Sequence, residues 1–325
     1  MTLPRRSFLH LAAGAAALPA LSRFAGAASF PSRPVRLIVG FAPGGGNDIV
    51  SRLMGQWLSD RLGQQFIVEN KPGAGTNIAA ELVITSVPDG YTLLLAGIPN
   101  AVNATLYHKL TFNFIRDTTP IVAIASVPNV MLTNPSFPAK TLADFIAYAK
   151  ANPGKVNMAS PGVGSGGHLS GELFKYMAGV DLTHVPFRGN GPALAALLGG
   201  QVDVLFPPIA ASIKYIKAGK LRGLGVTSAK RADTLPDIPA IGEVVSGYAM
   251  VAWYGFVGPK GTPVEVVDKV NKEINAALTD PKIKERIATL GATIIGGSPA
   301  EFAKLIADET EKWAKVVPAA HMTAD

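Results

Sequence analysis

Apolar and polar positions along the chain change repeatedly between the period of a strand and the period of a helix. The run Val35-Arg36-Leu37-Ile38-Val39 predicts a strand, and a glycine-rich loop over residues 41–48 follows it. Apolar residues then recur at helical spacing as far as Leu58, and Gly63 is placed to end that helix. The same order continues with a strand at 66–68, a loop at 70–76, a helix at 78–86 and a strand at 91–96.

The sequence from Lys155 onward repeats this order. A strand at residues 156–159 leads into another glycine-rich loop, residues 160–167. The elements after it are a helix that Gly179 ends, a strand at 183–187, a loop at 188–192, a helix at 193–198 and a strand at 202–206. Strands that alternate with helices form parallel sheets, because parallel strands need a crossover connection. We therefore predict an α/β fold of two lobes, each with a parallel-rich sheet built on a βαβαβ unit.

All four glycine-rich loops follow a strand and precede a helix. In open α/β sheets a ligand binds at the carboxyl ends of the strands, where such loops lie. Helix N-termini offer unpaired N–H groups and a partial positive charge, and glycine lets a ligand approach the backbone closely. If the two lobes face each other, the loops are expected to meet in one cleft that binds an anion mainly through backbone groups.

Two β-rich runs are the expected connections between the lobes. Residues 121–127 are expected to leave the first lobe, and residues 224–226 are expected to return to it. We therefore assign residues 28–125 together with residues 228–325 to lobe 1, and residues 126–227 to lobe 2.

Residues 1–27 have the pattern of an export signal. Paired arginines precede an apolar run over residues 8–21, and a small-x-small pattern stands at residues 25–27. The run is shorter than the roughly 20 residues that a membrane-spanning helix needs. The order Arg5-Arg6-Ser7-Phe8-Leu9 matches the twin-arginine route, and two arginines also serve an ordinary Sec signal. We expect a cleaved signal and a mature protein that is soluble outside the cytoplasm.

Composition and charge exclude several classes of protein. The 325-residue chain is 48% hydrophobic and 16% charged, which indicates a globular protein and not a disordered one. The absence of cysteine excludes disulfides, thiolate nucleophiles and iron–sulfur clusters. The net charge of +7 includes three arginines from residues 1–27, so the mature chain has 27 basic and 23 acidic residues, a net charge of +4. Since basic residues are also not interleaved with aromatic ones, we expect no nucleic-acid partner.

Motif patterns predict no catalytic centre. Gly162-x-Gly164-x-x-Gly167 has the spacing of a dinucleotide fingerprint, but Asp181 precedes the next strand, whereas the fingerprint needs an acidic residue at its end. Gly40-x-x-x-x-Gly45 lacks the Lys-Ser or Lys-Thr of a phosphate-binding loop. No serine has the Gly-x-Ser-x-Gly pattern, and no histidines have the spacing of a zinc motif. We expect no cofactor, no metal and no enzyme activity; a hydrolase or transferase that uses the same cleft is the alternative.

Three side chains near the predicted cleft have both a structural and a ligand-binding interpretation. Asp48, in the first turn of a helix, either caps helix N–H groups or contacts the ligand. His168, in the first turn after a glycine-rich loop, either donates a hydrogen bond into the cleft or caps and packs. Arg188 either pairs with a carboxylate through two hydrogen bonds or is a solvated surface arginine.

Several long motifs resemble the Bug family, the extracytoplasmic solute receptors of tripartite tricarboxylate transporters. The motifs lie at residues 34–48, 69–75, 191–193 and 198–203, and the likeness extends from about residue 30 to the end of the chain. The resemblance implies a two-lobe periplasmic binding protein of the type II-like, Venus-flytrap kind, with the ligand between the lobes. It implies a small carboxylate as ligand, such as a di- or tricarboxylate, an acidic amino acid or an aromatic carboxylate. It also implies a membrane permease as partner, and we expect a monomer.

The resemblance further implies ligand-binding positions in both lobes, where backbone N–H groups and waters hold the ligand. Those in the first lobe are Pro43, Gly44, Gly45, Asp48, Thr76, Asn77, Ala96, Gly97 and Ile98. Those in the second lobe are Gly162, Ser165, Gly166, His168, Arg188, Gly189 and Asn190. The sequence identifies neither the carboxylate nor the permease.

Overall fold

The computed structural model describes residues 30–324, so the predicted export signal at residues 1–27 lies outside the described residues. The strands of the described part are β1 (Val35–Val39), β2 (Phe66–Asn70), β3 (Thr92–Gly97), β4 (Thr118–Pro128), β5 (Val130–Thr133), β6 (Val156–Ser160), β7 (Leu182–Pro186), β8 (Val204–Leu205), β9 (Arg222–Val226), β10 (Val251–Pro259) and β11 (Thr293–Gly296). Its α-helices are α1 (Gly46–Leu62), α2 (Asn77–Ile84), α3 (Ile98–Leu106), α4 (Phe114–Asp117), α5 (Leu142–Ala151), α6 (Gly166–Ala178), α7 (Asn190–Leu198), α8 (Ile209–Lys217), α9 (Val264–Thr279), α10 (Pro281–Thr289) and α11 (Pro299–Ala319). Among these described helices, none is both long and apolar enough to cross a membrane.

The strands form two sheets, and each sheet contains one of the predicted βαβαβ units. In the first sheet, ordered β11-β4-β10-β3-β1-β2, strand β1 pairs in parallel with β2 and β3. In the second sheet, ordered β7-β6-β8-β5-β9, strand β6 pairs in parallel with β7 and β8. The first strand of each unit is therefore central, and the glycine-rich loops lie at the carboxyl ends of neighbouring strands. The predicted α/β fold of two lobes is confirmed, with parallel strands at the core of a mixed sheet in each lobe.

The other strands pair antiparallel, which the sequence pattern did not predict. Strand β10 lies between β3 and β4 and is antiparallel to both, while β11 pairs with the other edge of β4. In the second sheet, β5 is antiparallel to β8 and β9. The C-terminal third thus completes the first sheet, and the register Tyr254↔Gly97 places β10 beside the carboxyl end of β3.

Helix α11 fixes β10 in this position. The ring of Phe302 packs edge-on against Trp253 of β10, with 5.6 Å between the ring centroids, and both side chains are buried. Trp313, further along the same helix, is fully buried as well. Burying a large aromatic side chain contributes roughly 1.5–3 kcal/mol. The contact between Phe302 and Trp253 therefore holds β10 against α11.

Glycines end the helices at the two positions that the sequence predicts. Gly63 after α1 has φ 72°, and Gly179 after α6 has φ 62°, both in the left-handed region. Their N–H groups donate to carbonyl oxygens of the last helical turn, on Ser59 and Lys175 respectively. A Cβ is disfavoured in this conformation, which explains why glycine stands at both positions.

The first crossing between the sheets lies at Asn129 and differs from the predicted boundary after residue 125. Strand β4 stays in the first sheet as far as Pro128, because it pairs with β10 up to the register Val251↔Pro128. Strand β5 of the second sheet begins at Val130, so only Asn129 lies between the two strands. The crossing is therefore a single residue between two strands.

The return crossing also differs from its prediction, which placed residues 228–250 in lobe 1. After β9 the chain continues along the second sheet, where Ala240 forms a bridge with Val226. The Tyr248 hydroxyl donates to the carbonyl oxygen of Ser170 in α6 over 2.9 Å. The chain enters the first sheet only with β10, so this segment packs on the second lobe.

Candidate functional site

A cavity of about 630 Å³ lies between the two lobes, at the carboxyl ends of their parallel strands. The first lobe contributes the loop after β1 and the start of α3, together with residues of β4 and β10. The second lobe contributes the loops before α6 and α7 and the first turn of α8. This volume is in the range of small-molecule sites. The cavity has the position that the sequence predicted for a ligand cleft.

Four helices, two from each lobe, place their first residue on this cavity. Their first residues, Gly46, Ile98, Gly166 and Asn190, all line it. The residues before α1 and α7 are Gly45 and Gly189, which provide no side chain to cap the helix. N–H groups of the first helical turn have no partner within the helix, and the helix dipole gives this end about half a positive charge. The cavity therefore offers unpaired donors and a positive potential.

Side chains supply no charge to the cavity. Among the residues that line it, all of them within the described range 30–324, none is Lys, Arg, Asp, Glu or His. The polar side chains there are those of Asn47, Asn129, Ser165, Asn190 and Tyr254. Burial raises the pKa of Tyr254 to about 12, so its hydroxyl stays neutral. The electrostatic potential of the cavity consequently comes from the backbone.

Asp48 turns away from the cavity and holds the first glycine-rich loop. Its buried carboxylate accepts hydrogen bonds from the N–H of Gly44 and from Asn70 Nδ2, both over 3.0 Å, and it pairs with Arg52 at 2.9 Å. Burial alone would raise the pKa of Asp48, but the hydrogen bonds from Arg52, Gly44 and Asn70 outweigh it and lower the pKa. The carboxylate is therefore neutralised outside the cavity, where it does not repel an anionic ligand.

His168 holds the corresponding loop of the second lobe. Its Nδ1 accepts a hydrogen bond from the N–H of Gly164 over 3.2 Å, and its ring stacks on His184 with 4.1 Å between centroids. His184 Nε2 shares a hydrogen bond of 2.6 Å with Ser160 Oγ, which also accepts from the N–H of Gly162. The two stacked imidazoles thus hold two backbone N–H groups of the loop before α6. His168 accepts from Gly164 directly, and His184 is linked to the N–H of Gly162 through Ser160.

Burial keeps both imidazoles neutral. Burial, with the charge repulsion from His184 and Lys175, lowers the pKa of His168 to about 3. Burial and Lys175 lower the pKa of His184 to about 4. Nδ1 of His168 accepts the Gly164 hydrogen bond only in the unprotonated state. His168 is buried and does not line the cavity, so the structure favours the packing interpretation over a hydrogen bond into the cleft.

The predicted ligand-binding positions divide into three groups. Nine line the main cavity: Pro43, Gly44, Gly45, Gly97, Ile98, Ser165, Gly166, Gly189 and Asn190. Thr76 and Gly162 line a smaller neighbouring cavity of about 220 Å³. Five line neither cavity: Asp48, Asn77, Ala96, His168 and Arg188.

The structure explains why the other three residues of this last group do not line a cavity. Ala96 is fully buried within β3. Asn77 is buried at the start of α2, where its Oδ1 accepts a hydrogen bond of 2.8 Å from Asn103 Nδ2. Arg188 is exposed, in agreement with the interpretation as a solvated arginine.

The smaller cavity modifies the prediction that all four glycine-rich loops meet in one cleft. The loop at residues 72–76 faces residues 161–165 of the second lobe across this smaller space. In the main cavity, the first lobe contributes the start of α3 and not the loop at residues 72–76. Phe41, Pro99 and Pro161 line both spaces, so the two cavities adjoin.

Sequence reasoning missed several residues that line the cavity, and Tyr254 is the most informative of them. A Cβ placed on Gly46 would lie 3.2 Å from the Tyr254 hydroxyl oxygen, so this hydroxyl sits at the first residue of α1. Asn129 at the crossing and Leu290 at the end of α10 also line the cavity. The β-rich run at residues 251–257 was a signal for the strand that carries Tyr254.

Comparison with known proteins agrees with this architecture. Residues 50–322 match the family model described as Tripartite tricarboxylate transporter family receptor. The chain belongs to this family. Protein BugT of Bordetella pertussis is 36% identical over 292 residues, which cover 89% of this chain and 90% of BugT. The resemblance that the sequence motifs carried is therefore confirmed.

Two solved structures extend the comparison. Rpa4515 of R. palustris, determined with adipate, has a TM-score of 0.81 and 36% identity, with 90% of this chain and 99% of that chain covered. MatC of Rhodopseudomonas palustris, with bound malate, has a TM-score of 0.79 and 33% identity, with 89% of this chain and 100% of that chain covered. The two-lobe architecture of periplasmic binding proteins is thus confirmed for the receptor.

Within the described residues, no three His, Cys, Asp or Glu side chains are grouped so that they could hold a metal ion.

Proposed function

We propose that this receptor is a non-enzymatic, extracytoplasmic solute-binding protein that captures a small organic carboxylate between its lobes. The observation that carries the proposal is the start of four helices at a cavity whose lining residues bear no charge. Helix N-termini bind carboxylates through their unpaired N–H groups and their partial positive charge. The similar R. palustris proteins with adipate and with malate support a carboxylate as the class of ligand.

We assign ligand contact to the nine predicted positions that line the main cavity. Asp48 and His168 have a different role, because each of them holds a glycine-rich loop from outside the cavity. Their contribution is to fix the directions of the loop N–H groups before the ligand arrives. Such preorganisation increases affinity by lowering the entropy cost of binding.

Ligand capture is proposed to close the lobes over the cavity. The lobes are connected at Asn129 and at Met250, both of which are hydrogen-bonded to Thr227, and groups from both lobes face the same space. A ligand that bridges both lobes favours the closed state by its additional contacts there. The closed receptor would then deliver the carboxylate to the membrane permease of a tripartite tricarboxylate transporter. We place this monomeric receptor in the periplasm, after removal of residues 1–27.

Thermal unfolding of the mature protein with a panel of carboxylates tests the proposal. The panel contains benzoate, phenylacetate, succinate, malate, adipate, citrate and glutamate. A ligand at about 100 times its dissociation constant stabilises the native state by about 2.7 kcal/mol, so at least one member should raise the unfolding midpoint by several degrees. Proton NMR of the same mixtures should show every carboxylate unchanged after overnight incubation. A flat panel, or chemical conversion of a panel member, would contradict the receptor function.

A further inference from the structure

The loop between β2 and α2 contains a threonine in a backbone conformation that threonine rarely adopts. Gly73, Ala74, Gly75 and Thr76 all have positive φ angles, of 134°, 45°, 58° and 80°. Glycine adopts such angles readily, but a β-branched residue is strongly disfavoured there. Glycine at position 76 would give the same backbone without this strain. The Thr76 side chain is thus a candidate for a role that glycine could not fill.

The Thr76 side chain packs against the end of β1. A Cβ placed on Gly40 would lie 2.6 Å from Thr76 Cβ and 2.9 Å from Thr76 Cγ2, so the threonine lies directly on the Gly40 backbone. Gly40 immediately precedes the first glycine-rich loop, which carries Gly45 to the main cavity. The contact therefore fixes the start of that loop against the loop that contains Thr76.

The Thr76 hydroxyl connects the same loop to the start of α3. Asn100, in the first turn of α3, donates from Nδ2 to Thr76 Oγ1 over 3.2 Å. Its Oδ1 accepts a hydrogen bond of 2.9 Å from the N–H of Gly97, the last residue of β3. Gly97 lines the main cavity together with Ile98, the first residue of α3. One amide, buried like Thr76, thus links the two sides of this turn.

Asn103, one turn further along α3, binds the residues on both sides of Thr76. Its Nδ2 donates to the carbonyl oxygen of Gly75 over 2.7 Å and to Asn77 Oδ1 over 2.8 Å. Asn100 and Asn103 are three residues apart in the helix, so both side chains lie on the same face of α3. The strained loop is therefore held by α3 along its whole final part.

Thr76 consequently joins three segments of lobe 1. The segments are the loop after β1, which it contacts at Gly40, its own loop after β2, and the turn after β3, which it reaches through Asn100. The first and the third of these segments carry helix starts to the main cavity. Donors whose directions are fixed in advance bind a ligand at a lower entropy cost.

We propose that Thr76 and Asn100 are positioning residues for carboxylate binding, which fix the first glycine-rich loop and the start of α3 relative to each other. Thr76 lines only the smaller cavity, and Asn100 lines neither cavity, so both act on the ligand through the N–H groups of the main cavity. This inference rests on the proposed function, since these N–H groups are the ones proposed to bind the carboxylate. It gives Thr76 a role other than the ligand contact that the sequence predicts.

Calorimetric titration of the mature protein with its best carboxylate, well below the unfolding midpoint of every variant, tests this inference. Thr76→Val keeps the β-branched shape against Gly40 but removes the acceptor for Asn100, and it should raise the dissociation constant at least fivefold. Thr76→Ser keeps the hydroxyl and should lose less affinity than the valine variant.

Thr133→Val is the matched control. Thr133 is buried in β5 of the second lobe and lines neither cavity, and its Oγ1 has no hydrogen-bond partner among residues 30–324. The same substitution there removes a buried hydroxyl without breaking a hydrogen bond. It should leave the dissociation constant unchanged.

A double-mutant cycle shows whether the two positioning residues act as a unit. Asn100→Ala should also raise the dissociation constant at least fivefold, although it removes no group that lines a cavity. The double variant should then bind no more than about twofold more weakly than the weaker single variant, because each substitution breaks the same link. Independent effects would multiply to at least about twenty-five-fold. Asn100→Ala carries the test on its own if Thr76→Val does not fold.

Amide hydrogen exchange of the ligand-free protein, followed by NMR, gives a second measurement that needs no ligand. The Gly97 N–H should exchange at least fivefold faster in Thr76→Val than in the parent protein, because its acceptor Asn100 is no longer held. Its exchange rate in Thr133→Val should equal that of the parent protein.

The outcomes separate the inference from the proposed function. If the parent protein binds a carboxylate and Thr76→Val binds it equally well, or if the two substitutions have independent effects, the inference is wrong and the receptor function stands. If the parent protein binds no carboxylate of the panel, the proposed function is wrong. Gly97 exchange then still decides whether Thr76 fixes the start of α3, and an unchanged rate overturns that role.

Discussion

The backbone N–H of Asn129 donates to Oγ1 of Thr227 over 2.8 Å, and the N–H of Thr227 donates to the carbonyl oxygen of Asn129 over 2.9 Å. Both residues are buried; Asn129 is the first crossing between the two sheets, and the Thr227 carbonyl oxygen accepts a hydrogen bond of 2.8 Å from the N–H of Met250, directly before β10 at the return crossing. The two connections are therefore bonded to each other through Thr227. We expect the lobes to pivot close to these residues.

Thr227→Val should destabilise the protein at this pair. Valine has the shape of threonine but no acceptor, so the buried N–H of Asn129 loses its partner. Such a loss costs about 1–3 kcal/mol, measured as the free energy of unfolding in urea. Thr227→Ser keeps the hydroxyl and should retain most of the stability. Equal stability of the valine variant and the parent protein would show that the hydroxyl does not hold the connections together.

Asp48→Asn should cost stability in a pH-dependent way. The folded state lowers the pKa of Asp48, so its charge stabilises the protein above the ordinary pKa near 4, and this contribution is lost as the pH falls through the lowered value. We expect the variant to be about 1–2 kcal/mol less stable at pH 7 and the difference to shrink as the pH falls through the lowered pKa of Asp48. Asp60→Asn, an exposed position on the same helix, is the control. A stability difference that does not change with pH would contradict the assignment.

The stacked pair of His168 and His184 should make stability fall in mild acid. Their folded pKa values of about 3 and about 4 lie below the ordinary 6.5, so the unfolded chain binds more protons between these values. Stability from the neutral rings is complete above pH 6.5 and decreases as the pH falls below it, by up to about 1.4 kcal/mol per pH unit for each ring. Nitrogen NMR of the imidazoles should show both rings neutral at pH 5.5. Protonated rings in the folded protein at that pH would refute this.

His168→Phe should weaken ligand binding, although His168 does not line the cavity. Phenylalanine retains the stack on His184 but leaves the N–H of Gly164 without its acceptor. The loop before α6 then loses a fixed orientation, and we expect a several-fold increase in the dissociation constant of the best carboxylate in the panel. His168→Asn, whose side-chain oxygen occupies nearly the place of Nδ1, should restore the affinity. If both variants bind alike, the hydrogen bond to Gly164 does not position the loop.

The parallel core of each lobe was predictable because its signals are local. Glycine-rich loops, helical spacing and helix-ending glycines such as Gly63 lie within short windows of sequence. The antiparallel strands β10 and β11 were not predicted, because their partners β3 and β4 are far away along the chain. Tyr254 and Leu290 reach the cavity only through these long-range pairings.

For the individual site residues too, local sequence signals were predictive and long-range contacts were not. The loops that contain Gly45, Gly166 and Gly189 could be placed at the cleft from the order of strands and helices. The directions of the Asp48 and His168 side chains could not, because they depend on Arg52, Asn70 and His184, which approach from other elements. For Arg188, the position of its loop beside the second-lobe glycines was predictable from the sequence, but the exposed position of its side chain was not.

Gly45 allows a direct test of the proposal that backbone N–H groups at the helix starts bind the carboxylate. Gly45 is the N-cap of α1 with φ −79° and ψ 169°, a conformation that aspartate adopts readily at this position. A Cβ there would meet only the Ala42 carbonyl oxygen, at 3.9 Å. Gly45→Asp should therefore preserve the fold while its carboxylate occupies the donors and repels an anion.

Calorimetric titration of each carboxylate in the panel against the parent protein, Gly45→Asp and Gly45→Ser is the most direct measurement. We predict that the best ligand of the parent protein binds Gly45→Asp at least tenfold more weakly, with an unfolding midpoint no lower than that of the parent protein, while Gly45→Ser, whose neutral hydroxyl caps the same helix end without repelling an anion, loses less affinity than Gly45→Asp. Undiminished carboxylate binding by a folded Gly45→Asp variant would contradict the claim.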